Sequence, residues 1–177
     1  MAKNLHEIGQ LIVACEVYIV HKDKVLMHKR AESKSLFPGY WIGPGGHVEE
    51  NEDVLSAAIR EIKEETGVVL QPTNVSLKVL AFHHHIDRNE VWMEYLFRAE
   101  IPSTQPVHST EEGETTWIAI NDLLSLDNIF PPSKYYLQHI LDKNSGTKLP
   151  RAYAPWDFII QAKLVQHPLF LDSQCIV

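Results

Sequence analysis

The sequence predicts an α/β domain, a mixed sheet with helices packed on its faces. Strand-like runs rich in β-branched residues recur along the chain, and few helical stretches interrupt them. One of those stretches, residues 53–66, sets Leu55, Ala58, Ile59 and Ile62 at helical spacing. With 177 residues, 45% hydrophobic and 22% charged, the chain suits one globular domain with a real core, and nothing argues for a second.

Residues 11–20 are rich in β-branched side chains, 21–24 are polar, and 25–30 resume the apolar pattern, which reads as a hairpin. Residues 33–46 carry two prolines and four glycines, and the run Pro44-Gly45-Gly46 marks backbone that turns sharply or approaches something closely. The helix over 53–66 then ends at Gly67, a natural terminator. Residues 75–86 and 91–101 read as two strands joined by a polar turn at 87–90, and 115–120 as another strand after the loop 102–113. Asn121 is a plausible cap for a short helix at 122–125, and 132–143 reads as a second full helix with a proline in its first turn.

Composition excludes several classes of function. A formal net charge of −7 disfavours a chain that holds a nucleic-acid backbone, which needs clustered Lys and Arg. The first twenty residues offer one Lys and an apolar run broken by Glu16, with no small-residue cleavage site, so no signal peptide is read there. Apolar stretches fall far short of the roughly 20 residues of a membrane helix, so no membrane partner is expected. Cys15 and Cys175 stand far apart in no metal or redox spacing, which fits two reduced thiols in a cytoplasmic protein.

Chemistry concentrates at residues 46–68, GHVEENEDVLSAAIREIKEETGV, which match G-x5-E-x7-R-E-U-x-E-E-x-G-U at every fixed position, U being a bulky aliphatic. Seven fixed letters at ordinary usage give a chance match in a chain of this length of roughly one in a million. On a helix, Glu61, Glu64 and Glu65 share a face and would repel one another, so a hard divalent cation bound by oxygen ligands is the natural offset. A merely solvated acidic face would not account for Gly46, Glu52, Arg60 and Gly67 in the same pattern. Arg60 can pair with Glu52 from the preceding loop and brace loop against helix.

Those residues form the Nudix box, and the chain resembles a Nudix (MutT-like) hydrolase. The resemblance implies the Nudix α/β/α sandwich over residues 1–143, with 144–177 as an extension packed on the domain or on a dimer partner. It also implies a Mg2+-dependent pyrophosphohydrolase, with Mn2+ as substitute, that cleaves a nucleoside diphosphate linked to another moiety. By resemblance Glu61, Glu64 and Glu65 divide the metal ligation, Gly45 offers its carbonyl, and one carboxylate acts as base, Glu64 by preference. A further acidic ligand is expected among Glu111, Glu112 and Glu114, with Glu112 first. Arg60 belongs to the catalytic set, and Gly46, Glu52 and Gly67 to its frame.

For the substrate, Arg30 suits phosphate oxygens better than its neighbour Lys29. Trp41 beside the glycine-rich loop is a candidate pocket wall. In the run His83-His84-His85 only His83 and His85 share a strand face, so pocket wall or surface is favoured over metal ligand, with His83 named as substrate-binding. Phe82, Trp92 and Tyr95 could stack on a base but more often pack a core. About fifteen residues beyond the box stand His83 and His84 rather than proline or tyrosine, which weakens ADP-ribose and dinucleotide readings. The segment YWIGPGGHVEENED is similar to that of enzymes acting on nucleoside triphosphates, oxidised ones included. A small-molecule nucleotide is the expected partner, and the chain is a monomer or homodimer. The competing readings are a non-catalytic nucleotide sensor, a hydrolase of nucleotide sugars or dinucleotides, and an isomerase of isoprenoid diphosphates. The last is disfavoured by the complete box and the lack of a suitably placed cysteine.

From residue 144 on, Trp156, Phe158, Ile159, Ile160, Leu164, Val165 and residues 169–171 are too apolar for a disordered tail.

Overall fold

The β-branched run near the N-terminus forms the central strand β1 (Gln10–His21) in a computed structural model that describes residues 9–85, 88–145, 152–155 and 158–164. A tight turn with Lys22 at φ 52° leads to β2 (Lys24–Arg30). Two short strands missing from the sequence reading follow, β3 (Trp41–Ile42) and β4 (Gly45–His47). They were invisible because two or three residues are too few to carry an alternating pattern. Helix α1 (Val54–Thr66) comes next, then a short 3-10 turn (Pro72–Asn74), β5 (Val75–His85), β6 (Glu90–Glu100) and β7 (Gly113–Ala119). The series ends with α2 (Ile120–Leu123), α3 (Ser133–Leu141), β8 (Ala152–Pro155) and β9 (Phe158–Leu164).

The strands make one mixed sheet in the order β3-β2-β1-β6-β5-β9-β8, with β4 on β1 and β7 on β2. β1 and β6 run parallel and the other pairs are antiparallel. Side-chain alternation along β1 builds a core on each face. Cys15, Val17 and Ile19 pack with Ala57, Ala58 and Ile62 of α1, while Tyr18 and Val20 pack with Tyr136, Leu137 and Ile140 of α3. The result is the expected sandwich of a mixed sheet between helices. Cys15 is buried and unpaired, and burial pushes its thiol up to about 12, so it is inert packing. Cys175, with residues 165–177, lies outside the described residues, as does Trp156.

Helix α1 owes its ends to local chemistry. Asp53 accepts from the Leu55 and Ser56 amides as its cap, and Gly67 at φ 76° closes it by donating to the Lys63 carbonyl. The expected Asn121 cap is a correction: α2 starts at Ile120 behind Ala119, no side chain caps it, and Asn121 lies within the helix. β7 runs straight into this turn, so its first amide need is met by the chain itself, Ile120 N–H donating to the Asp23 carbonyl.

β1 forks, and the fork positions the site. Its C-terminal end pairs with β2 through Val20↔Val25 and His21↔Lys24, whereas residues 14–16 pair with β4 on the same edge. Gly45 is what permits the approach: a Cβ there would stand 2.1 Å from the Cys15 carbonyl oxygen. The segment after residue 143 supplies β8 and β9, and β9 pairs with β5 from Val79↔Leu164 to His85↔Phe158.

Candidate active site

Where β4 meets α1, a cleft of ≈ 560 Å³ is lined by Glu61, Glu64 and Glu65 together with Gly45, Gly46, Arg30, Lys34 and Glu112. Helical spacing puts the three carboxylates on this side, as their sequence positions predict. Gly46 makes room for Glu61, since a Cβ there would lie 2.5 Å from its carboxyl carbon. Glu65 Oε2 accepts from the Gly45 amide at 2.9 Å. Burial pushes the Glu65 carboxyl up to about 7, the Gly45 amide opposing and the charges of Glu61 and Glu112 adding to the rise. What the structure shows of Gly45 is this amide contact rather than a carbonyl turned to a ligand.

Arg60 organises the set. Its Nε and Nη2 take both oxygens of Glu52 at 3.1 and 2.6 Å, and Nη2 also donates to the His47 carbonyl at 3.1 Å. Its Nη1 reaches Glu61 at 2.9 Å and Glu64 at 3.2 Å. The bracing expected of Arg60 and Glu52 is therefore present. The same guanidinium thus also holds Glu61, the next residue in the helix, and Glu64, one turn on at i,i+4. Pairing with Arg60 holds the Glu52 carboxyl below the usual range.

Of the three acids in the loop before β7, Glu112 lines the cleft, Glu111 does not, and Glu114 sits in β7 opposite Lys29. Glu112 pairs with Lys34, a residue the sequence reading passed over because a lone lysine in a loop carries no pattern. Among the described residues no three His, Cys, Asp or Glu already converge as metal ligands. The carboxylates are instead held by Arg60, the Gly45 amide and Lys34. The donor set nevertheless fits a hard divalent cation: it is all oxygen, it includes a buried carboxylate raised by burial and by other carboxylates, and Gly46 leaves Glu61 the space a side chain would fill.

Beyond this cleft lies a smaller cavity bounded by Phe37, His83, His85 and Phe130, sharing Glu16, Arg30, Leu36, Ile42, Trp92 and Glu94 with the cleft. Arg30 thus stands between the two, its Nε donating to the Leu36 carbonyl at 2.8 Å. His83 and His85 face the cavity together, as strand alternation requires. Trp41 is a correction. It packs against the α3-side core with Lys29 Nζ 5.9 Å from its ring centre, and alternation in β3 gives the cavity wall to Ile42. Tyr95 belongs to the α1-side core, while Trp92 does line the cleft.

Sequence reasoning missed Glu16 and Glu94. Glu16 is buried, its Oε2 accepts from the Tyr18 hydroxyl at 2.6 Å, and burial with the Glu94 charge raises its carboxyl to about 8. The available signal was one acid interrupting the apolar run of β1.

A family model for the NUDIX domain matches residues 11–140. The phosphatase NudJ of Escherichia coli is 30% identical over 124 residues, 68% of this chain and 74% of that protein. The m7GpppN-mRNA hydrolase NUDT17 of Xenopus laevis is 46% identical over 65 residues, which is 37% of this chain; the chain thus spans only 22% of that relative's length. Among solved structures, the MutT protein of Bacillus halodurans superposes with a TM-score of 0.68 at 24% identity, over 89% of this chain and 99% of that one, a likeness of fold.

Proposed function

The chain belongs to the Nudix hydrolase family, and we propose that it is a Mg2+-dependent pyrophosphohydrolase that opens the phosphoric anhydride of a nucleotide, a nucleoside triphosphate by preference. The observation that carries this is the gathering of Glu61, Glu64, Glu65 and Glu112 in one cleft whose rim holds the cations Arg30 and Lys34. Glu61, Glu64, Glu65 and Glu112 would hold Mg2+, which supplies charge neutralisation at phosphate oxygens and a more acidic water.

The chain's own residues do the rest. Glu64 is the most open of the box acids, with 61% of its side chain exposed against 16% for Glu61, and takes the proton of the attacking water. Arg60 fixes Glu61 and Glu64 from one guanidinium while Glu52 fixes Arg60, so both carboxylates keep their direction as charge changes around them. Arg30 and Lys34 line the same cleft and would meet the phosphates there. Phosphoryl transfer needs this positioning and charge complementarity more than covalent help.

The test is incubation with Mg2+ and a panel of nucleoside triphosphates, dinucleoside polyphosphates, nucleotide sugars and an m7GpppN dinucleotide, with product analysis. Cleavage at a phosphoric anhydride is expected. Tight binding with no cleavage of any member would replace this reading with a nucleotide sensor.

A further inference from the structure

Along the sheet face beneath α3, apart from Arg98, which donates to the Ile140 and Leu141 carbonyls, buried positions are apolar until the edge of the helix: Val79 and Ala81 in β5, Leu96 in β6, Tyr18 and Val20 in β1. The next positions on that face are His83, Glu94 and Glu16. Polar groups in buried positions cost stability unless they are paired. Here several are not. Both ring nitrogens of His83 and Oε2 of Glu94 are buried without a hydrogen-bond partner, and His83 is only 4% exposed. His83 Nε2 lies 2.9 Å from Glu94 Oε2, yet the two are not aligned for a hydrogen bond. They stand side by side, both on the wall of the cavity.

The rest of that wall brings aromatic and aliphatic side chains, Leu36, Phe37, Ile42, Trp92 and Phe130, together with Glu16, Arg30 and His85. Phe37 and Phe130 meet edge to face with ring centres 4.7 Å apart, and the His83 ring lies stacked over Phe130 at 6.0 Å. Trp92 closes the side shared with the carboxylate cleft. At ≈ 80 Å³ the cavity takes the reading edge of a planar heterocycle, with its phosphates reaching the adjoining cleft past Arg30.

The polar inventory selects the heterocycle. Carboxylates are acceptors when ionised, and an imidazole can present one N–H donor. Among the groups of the wall left without a partner, Glu94 Oε2 is therefore an acceptor and His83 brings a single ring donor. Guanine presents N1–H and a 2-amino group next to the O6 acceptor. Adenine and cytosine offer only an amino group on that edge, and uracil a single N–H. We propose that Glu94 and His83 read the donor-rich edge of a guanine-type base, Glu94 accepting from N1–H and the 2-amino group and His83 donating to O6, so that guanosine polyphosphates are the substrate class. This rests on the hydrolase reading only for what happens at the phosphates.

The experiment is equilibrium dialysis of GMP, IMP and AMP against the full chain without metal, where no turnover occurs. GMP should bind at least ~10-fold more tightly than IMP, which lacks the 2-amino group and leaves a buried acceptor unpaired, and more tightly still than AMP. Glu94→Gln, which keeps the side-chain volume, should bring the GMP to AMP ratio close to one, with its thermal melt confirming the fold. Equal binding of GMP and AMP by the unaltered chain, or no binding of GMP at millimolar concentration, overturns the proposal. Because the readout needs neither metal nor cleavage, it can fail while triphosphates are still hydrolysed, and succeed while they are not.

Discussion

The carboxylate cleft and the inner cavity both concentrate acids, but they treat them in opposite ways. In the cleft the acids of α1 and of the loop before β7 have partners supplied by the chain: Glu61 and Glu64 share Arg60 with Glu52, Glu65 has the Gly45 amide, and Glu112 has Lys34. In the cavity, Glu94 Oε2 and both nitrogens of His83 have none. A set of groups satisfied in the resting chain must exchange partners when charged ligands arrive, which suits chemistry on phosphates. A set left unsatisfied waits for a ligand to complete it, which suits recognition.

The sharpest way to break this contrast is to remove a working acid from the cleft. Glu64→Gln should lower kcat by about 10²- to 10⁴-fold, the range of a lost general base, with the thermal melt nearly unchanged because the residue is exposed. Turnover within a few-fold of the unaltered chain would refute the role given to Glu64. Arg60→Ala comes next, at roughly 10- to 100-fold in activity, since it only orients the acids. It should also raise the Mg2+ concentration needed for half-maximal rate. Equal losses from Arg60→Ala and Glu64→Gln would mean that Arg60 contacts the reacting groups itself.

These two regions were unequally legible in the sequence. The cleft could be read because its residues lie in one helix and one loop, where spacing alone fixes which side chains share a face. Even there, Gly45 and Gly46 were read as close-approach points, while the strand they form and the backbone they pass were not visible. The cavity is assembled from β1, β5 and β6, and which residue faces which depends on the register Cys15↔Tyr95 and His83↔Trp92. No local pattern encodes such register. His83 was singled out only as one of a run, and Trp41 was misplaced because alternation in a two-residue strand cannot be phased from sequence.

A finer test of the cleft is Gly46→Ala. The added Cβ would stand 2.5 Å from Glu61 Oε1, and Glu61 cannot swing away without leaving Arg60. A loss on the order of 10-fold in Mg2+ affinity is expected, smaller than the loss from Arg60→Ala because a single acid is displaced. Unaltered Mg2+ affinity, measured by titration calorimetry, would show that Glu61 is not held where the cation binds.

The smallest effect is in stability, and it separates the two regions by pH. Glu16 titrates at about 8 in the folded chain against an ordinary value of 4.5, through burial first and the Glu94 charge second. Between those values the native state keeps a proton that the unfolded chain has released, so stability falls as pH rises. The contribution is fully present below about 4.5 and lost as pH passes through about 8. Glu65, raised to about 7, acts in the same direction but is exhausted earlier. The decline from pH 7 to 8.5 thus belongs mainly to the cavity, and the decline below pH 7 is shared with the cleft. Glu16→Gln should flatten the upper part, by on the order of a few °C in Tm across that interval, while leaving a slope below pH 7. Glu65→Gln should do the reverse. If Glu16→Gln melts with the same pH dependence as the unaltered chain, Glu16 is not the group that holds the proton, and the separation of the two regions by pH loses its thermodynamic support.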